Sequence, residues 1–104
     1  MFLLALVGIA SAAPIVINGN NVHDTLACTP GQNVNVNGNG AQLTLTGDCG
    51  TLQVTGNNAT VDIDGVARIT LLGTGNAVTW HRNLSGAKKL PKTIGVGNTI
   101  TKAP

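Results

Sequence analysis

Gly38-Asn39-Gly40-Ala41-Gln42-Leu43-Thr44-Leu45-Thr46-Gly47 and Gly56-Asn57-Asn58-Ala59-Thr60-Val61-Asp62-Ile63-Asp64-Gly65 are one ten-residue phrase written twice, at an offset of 18. Both open on Gly-Asn, place Ala fourth, then alternate polar with apolar residues up to a closing Gly. An offset of 17 carries Gly56 onto Gly73, Val61 onto Val78 and Ile63 onto Trp80. In the other direction an offset of 19 takes Val34, Val36 and Gly38 back onto Ile15, Ile17 and Gly19. Alternation with period two marks half-buried strands, and Gly-Asn supplies the turn between them.

Each unit therefore reads as two short strands. The first strands hold Ile15/Ile17, Val34/Val36, Leu52/Val54 and Ile69/Leu71; the second hold Leu26, Leu43/Leu45, Val61/Ile63 and Val78/Trp80. A fifth, degraded unit runs through Ile94, Val96 and Ile100 and keeps a turn at Gly97-Asn98. One strand pair cannot cover its own apolar face, whereas stacked copies bury a continuous core. The expected fold is all-β, a short parallel β-solenoid (β-helix) of about five coils of 17–19 residues with two strands per coil. Gly-Asn links also close hairpins, so an antiparallel β-sandwich or meander is the alternative. The near-constant period with its turn preserved favours the solenoid. Equivalent residues then lie about 4.8 Å apart, which sets Asn39, Asn57 and their counterparts in a column whose amides can satisfy turn backbone groups.

Composition agrees. With 42% hydrophobic residues and a net charge of +2, the chain lies far from the disordered regime. Trp80 and Phe2 are its only aromatics, so the core must be built from slim aliphatic side chains. The charge is too small to predict a nucleic-acid partner, but it is unevenly placed. All four acids, Asp24, Asp48, Asp62 and Asp64, precede position 65, and all six Lys and Arg fall from Arg68 onward.

Residues 2–9 form an apolar run followed by Ala10-Ser11-Ala12, small residues at the positions a signal peptidase reads. The expected organisation is a signal peptide over 1–12 and a single β-repeat domain over 13–104, with no Lys or Arg ahead of the apolar run. The run is too short for a membrane-spanning helix, and the expected location is secreted or periplasmic. In such a compartment Cys28 and Cys49, the only cysteines, are expected to form one disulfide. Their separation is one period plus the Thr29-Pro30-Gly31 insertion, which puts them at equivalent places on adjacent coils. A metal or catalytic dithiol would need CxxC spacing or a His in register, and neither is present.

Candidate chemistry is sparse. Asp62 and Asp64 flank Ile63 and so point the same way, as a pair able to act as acid and base on a polysaccharide. With Thr at the equivalent places on the preceding coil, a solvated face that discourages lateral aggregation is the preferred reading. His23 and His81 read as surface residues beside Asp24 and Arg82, and Ser85 has no nucleophile-elbow context. Outward Thr residues such as Thr44, Thr46, Thr99 and Thr101 raise ice binding, but Gln53, Asp62 and Asp64 break the array. The one distinctive patch is Trp80, His81 and Arg82 with Lys88, Lys89 and Lys92, an aromatic beside several cations. The preferred reading there is that Trp80 fills the Ile63-equivalent core position and the loop over residues 83–91 is a solvated cap.

Cys28, Val34-Asn35-Val36-Asn37-Gly38-Asn39, Gly47-Asp48-Cys49-Gly50, Gly56-Asn57-Asn58, Gly73-Thr74-Gly75-Asn76-Ala77-Val78-Thr79-Trp80 and Gly97-Asn98-Thr99-Ile100-Thr101 together resemble a bacterial exported family, catalogued as domain of unknown function 3060. The resemblance implies a secreted or periplasmic repeat protein and transfers no catalytic residue. The functional expectation is a non-enzymatic structural or binding module of the bacterial envelope or extracellular space, without cofactor or metal. Its expected partner is an acidic envelope polymer or glycan at the basic C-terminal end, with self-association through solenoid ends as a further prospect. The alternative is a carbohydrate-active hydrolytic or lyase-type solenoid using Asp62, Asp64 and His81.

Overall fold

The computed structural model describes residues 13–103, so the expected signal peptide over 1–12 lies outside the described residues. Nine strands follow in order: β1 Ile15–Asn18, β2 His23–Ala27, β3 Gln32–Asn37, β4 Gln42–Asn57, β5 Thr60–Val66, β6 Arg68–Thr74, β7 Ala77–Asn83, β8 Lys92–Thr93 and β9 Thr99–Lys102. Every pairing is parallel. β1, β3, β4, β6 and β8 make one sheet, and β2, β4, β5, β7 and β9 the other. β4 is long because it turns from the second sheet into the first without a break. The result is a β-solenoid of about five turns, as the repeat predicts and as an antiparallel meander would not be.

The register reproduces the sequence offsets. Ile15, Val34, Leu52 and Ile69 form one inward column, and Ile17, Val36, Val54 and Leu71 a second. In the other sheet Leu43, Val61, Val78 and Ile100 stack, beside Leu26, Leu45, Ile63 and Trp80. The central members of these columns are almost fully buried. The columns end on charge: Asp24 precedes Leu43, Lys92 follows Ile69 and Lys102 follows Trp80.

Each coil turns two corners. The Gly-Asn corner joins the first-sheet strand of a coil to its second-sheet strand, and a return corner leads on to the next coil. Asn side chains lace the Gly-Asn corner in two ladders of opposite polarity. In the first, Asn20 Oδ1 accepts the Asn39 N–H, Asn39 Oδ1 that of Asn57, and Asn57 Oδ1 that of Thr74, at 3.0, 2.9 and 3.1 Å. Thr74 has no amide to continue this ladder. Two turn positions later, Asn98 Oδ1 accepts the Asn76 N–H and Asn76 Oδ1 the Ala59 N–H, now running back down the stack.

Gly97-Asn98 therefore does not match Gly56-Asn57, as the repeat of the dipeptide implies. Ala77 pairs with Thr99, which sets Gly97-Asn98 on Gly75-Asn76, and the last coil is offset by 22 residues instead of 17–19. The extra residues are absorbed in the return loop, since Ile69 already pairs with Lys92, and the Gly-Asn corner that follows is one residue shorter than the one below it. Val96 is thrown out to 82% exposure, Ile94 is half-buried and Ile100 packs on the core.

Asn76 is the one buried polar side chain among the described residues, and besides accepting from Ala59 it donates Nδ2 to the Gly56 carbonyl at 3.0 Å. Asn76→Ala strands both groups, and an expected loss of about 2–4 kcal/mol in urea unfolding follows from the cost of unsatisfied buried partners. Asn57→Ala, on the exposed ladder where water replaces the amide, is expected to cost about 1 kcal/mol or less.

Candidate functional site

The return corner gathers most of the chemistry. Cys28 and Cys49 are joined there in a disulfide between the first and second coils. They are not at equivalent places: Cys49 is in register with Gln32, and Cys28 donates its N–H to Thr46 O, opposite Gly47. The Thr29-Pro30-Gly31 insertion turns the chain between them, so the bridge ties the end of one second-sheet strand to the corner of the next coil. Cys49 is buried and Cys28 half-buried.

Further along the same corner Asp48, Gly65 and Arg82 fall in one column, because Asp48 pairs with Gly65 and Gly65 with Arg82. Gly65 has no side chain to fill the gap. The Arg82 guanidinium crosses it to Asp48 two coils away and also holds Asp64, with Nε and Nη2 donating at 3.3 and 3.2 Å. A Cβ on Gly65 would lie 2.8 Å from Arg82 Nη2 and 3.0 Å from Asp48 Oδ1, so the bridge depends on that glycine. His81 Nε2 meets Asp62 Oδ1 at 2.8 Å, instead of turning to its neighbour Arg82. Asp62 and Asp64 thus have side-chain partners on the next coil, where the sequence alone reads a solvated face.

The Arg82 hydrogen bond, joined by the guanidinium's charge, holds the Asp64 carboxyl below its ordinary value; the same contacts raise Arg82. A lowered folded-state pKa means that the contribution of Asp64 to stability is present above the unfolded value of about 3.9 and is lost as pH falls through the folded value. Acid unfolding of the wild type should therefore steepen below about pH 4, and Asp64→Asn should flatten that limb. An Asp64→Asn variant with the wild-type acid profile would show that the contact contributes nothing to folding. The groups are roughly half exposed, which keeps the effect small.

The patch read from the sequence is divided by this arrangement. His81 and Arg82 are engaged by acids, and Trp80 packs against the core with the Lys102 ammonium 5.8 Å from its ring centroid. The loop over 83–91 is more than a solvated cap, since Leu90 is buried in the core and Asn83 Nδ2 closes on Ala87 O at 2.9 Å. Lys88, Lys89 and Lys92 stay exposed, and the topology adds Arg68 and Lys102, which sequence reasoning left out. Arg68 opens β6 at the return corner below Pro91, whose carbonyl accepts the Ile69 N–H. Carrying the repeat offset through the charged positions as well as the apolar ones would have found the Asp48–Arg82 column. The 22-residue last coil concealed Lys102.

Two open grooves lie on the second sheet. One of about 210 Å³ is lined by Thr44, Leu45, Thr46, Asp62, Asp64 and His81. The other, about 600 Å³, lies over His23, Asp24 and Thr25 with Gln42, Leu43, Thr44 and Thr60. Among the described residues no group of three or more His, Cys, Asp or Glu is placed to hold a metal ion, and no helix is long and apolar enough to cross a membrane. No curated protein and no solved structure matches the chain. Residues 36–98, which carry all but the Asn20 rung of the ladders, the Arg82 bridge and the lysine loop, match the family described as Protein of unknown function (DUF3060), and with more than half its length matched the chain belongs to that family.

Proposed function

We propose that the protein is a non-enzymatic structural or binding module that works outside the cytosol, secreted or in the periplasm of a bacterium. The observation that carries this reading is that Asp62, Asp64 and His81 pair with one another or with Arg82 on an exposed strand face, with no enclosed site around them. General acid–base catalysis asks for a group held in the right protonation state beside the substrate, usually in a site that excludes water. Here the grooves are open and the carboxylates already have partners. The disulfide supports an oxidising compartment, as does the apolar run over 2–9.

The module acts as a monomer in this reading. Joining the two ends in register would set Lys92 against Ile15 and Lys102 against Leu26, burying ammonium groups on apolar columns. Incubation with a panel of polysaccharides checks the reading. The wild-type chain and an Asp62→Asn/Asp64→Asn variant should both bind without releasing reducing or unsaturated ends. Release by the wild type and not by the variant would establish the hydrolase or lyase instead.

A further inference from the structure

Sequence order scatters Arg68, Lys88, Lys89, Lys92 and Lys102 over 35 residues. The coil brings them to one end. Arg68 stands at the return corner between the third and fourth coils, Lys88 and Lys89 in the return loop between the fourth and fifth, and Lys92 at the start of β8. Lys102 closes β9 over the face of Trp80. All five are exposed, and none has an ion-pair partner among the described residues. No acidic side chain follows Asp64 in the chain. Arg82 is engaged by Asp48 and Asp64, two carboxylates to one guanidinium, so it is not counted among the free cations, and that cluster keeps one net negative charge on the second and third coils.

We infer that this corner of the last two coils is a docking surface for a carboxylate-bearing acidic polysaccharide, a partner that rests on the reading of the protein as an extracytosolic binding module. Charge complementarity selects a polyanion. The surface presents no free aromatic ring on which nucleic-acid bases would stack, since Trp80 is packed on the core and covered by Lys102. Exposure of a large apolar residue in the return loop is confined to Leu84, 38% exposed, and the most exposed apolar residue, Val96, lies at the Gly-Asn corner on the other side of the coil, which leaves no extended apolar edge for a lipid surface. Four flexible ammonium groups and the single Arg68 guanidinium, carried on a loop and three strand ends, suit dispersed carboxylates along a hydrated chain. One guanidinium among four ammonium groups does not make the clustered clamp that a single phosphate would select. The binding residues are then Arg68, Lys88, Lys89, Lys92 and Lys102, with His81 and Arg82 outside the set.

The test is binding of the 104-residue chain to polygalacturonate, with dextran, vesicles of phosphatidylglycerol and phosphatidylcholine, and oligothymidine as comparisons. Polygalacturonate should bind best, and its affinity should fall on the order of a hundredfold between about 50 and 200 mM salt, as counterion release at four or five cations requires. Lys88→Glu/Lys89→Glu/Lys92→Glu should lose binding by more than about tenfold at an unchanged thermal midpoint. The charge-balanced Arg82→Met/Asp64→Asn pair should change it less than about twofold. Equal binding of the charge-reversed variant, or stronger binding to vesicles or oligothymidine than to polygalacturonate, overturns the inference. Binding to dextran alone also overturns it while leaving the module reading intact. Depolymerisation of polygalacturonate would instead overturn the module reading.

Discussion

Gly56→Ala is expected to prevent the chain from folding into a stable solenoid. Gly19, Gly38, Gly56 and Gly73 lie one above another at the Gly-Asn corner, each with φ between +115° and +144°. A Cβ built on Gly56 lies 1.9 Å from the Gly38 carbonyl oxygen, and the same 1.9 Å recurs from Gly38 to Gly19 and from Gly73 to Gly56. The obstacle is backbone, and that backbone is held by the Gly38 N–H to Thr55 O bond and the neighbouring Asn39–Asn57 bond, so it cannot rotate aside as a side chain would. Parallel strands of adjacent coils sit about 4.8 Å apart. Room for a methyl group has to come from opening that spacing, which breaks the ladder on both sides of the substituted coil. The expected loss exceeds about 4 kcal/mol, in the range reserved for strain and broken networks.

Gly31→Ala provides the comparison. Gly31 has φ +78° but nothing within 4 Å of the added Cβ, so it carries the conformational cost of about 1–2 kcal/mol without the collision. Urea unfolding followed by far-ultraviolet circular dichroism should show a shifted but cooperative transition for Gly31→Ala and no native baseline for Gly56→Ala. Similar midpoints for the two would mean that the glycine column is a turn preference and not a packing requirement.

Removing the disulfide should also produce a large effect. Cys28–Cys49 closes a loop with a sequence separation of 21, and the constraint it places on the unfolded chain contributes about 3 kcal/mol. The folded state gives that bond particular weight. Among the described residues the first coil is the least covered part of the core: β1 and β2 each pair there on one side only, Asp24 stands at a position that is apolar in the later coils, and Leu26 is half-buried. Without the bridge, that coil is held by two short strand pairings and the exposed end of the Asn ladder. Cys28→Ala/Cys49→Ala, or reduction of the native protein, should lower the thermal midpoint by about 15 °C for a domain of this size. Protection from hydrogen exchange should be lost first over residues 15–27. An unchanged midpoint, with an intact-mass shift proving that the bond was reduced, would show that the first coil is held by its ladders alone.

The two effects bear on different parts of the proposed binding surface. The glycine column sets the coil spacing everywhere, so its failure removes the lysine end along with the core. The disulfide lies at the opposite end of the stack, so the reduced protein at moderate temperature should keep its last two coils and with them the cations at the return corner.

Much of this is written plainly in the sequence. The recurrence of Gly38-Asn39 at Gly56-Asn57, with Ala fourth and apolar residues at alternate places, determines two strands per coil, the inward columns and a parallel stack. The physical reason is that a period-two strand with one apolar face has to find an identical face to cover it. Two cysteines separated by about one coil and an insertion likewise determine a bridge between neighbours.

Tertiary structure decided what depends on which backbone lies under which. A Gly-Asn dipeptide can occupy two positions in this turn, one whose amide reaches up the stack and one whose amide reaches down. The pairing of Ala77 with Thr99 is what assigns Asn98 to the second. Arg82 reaches Asp48 because the residue between them in the column is Gly65, a relation across two coils that no single repeat unit contains. The same coiling collects Arg68 and the lysines, dispersed in the chain, at one corner and sets Arg82 apart from them. Side-chain charge interacts through space, and only the closed register of the coils turns a spacing of 17 or 22 residues into contact.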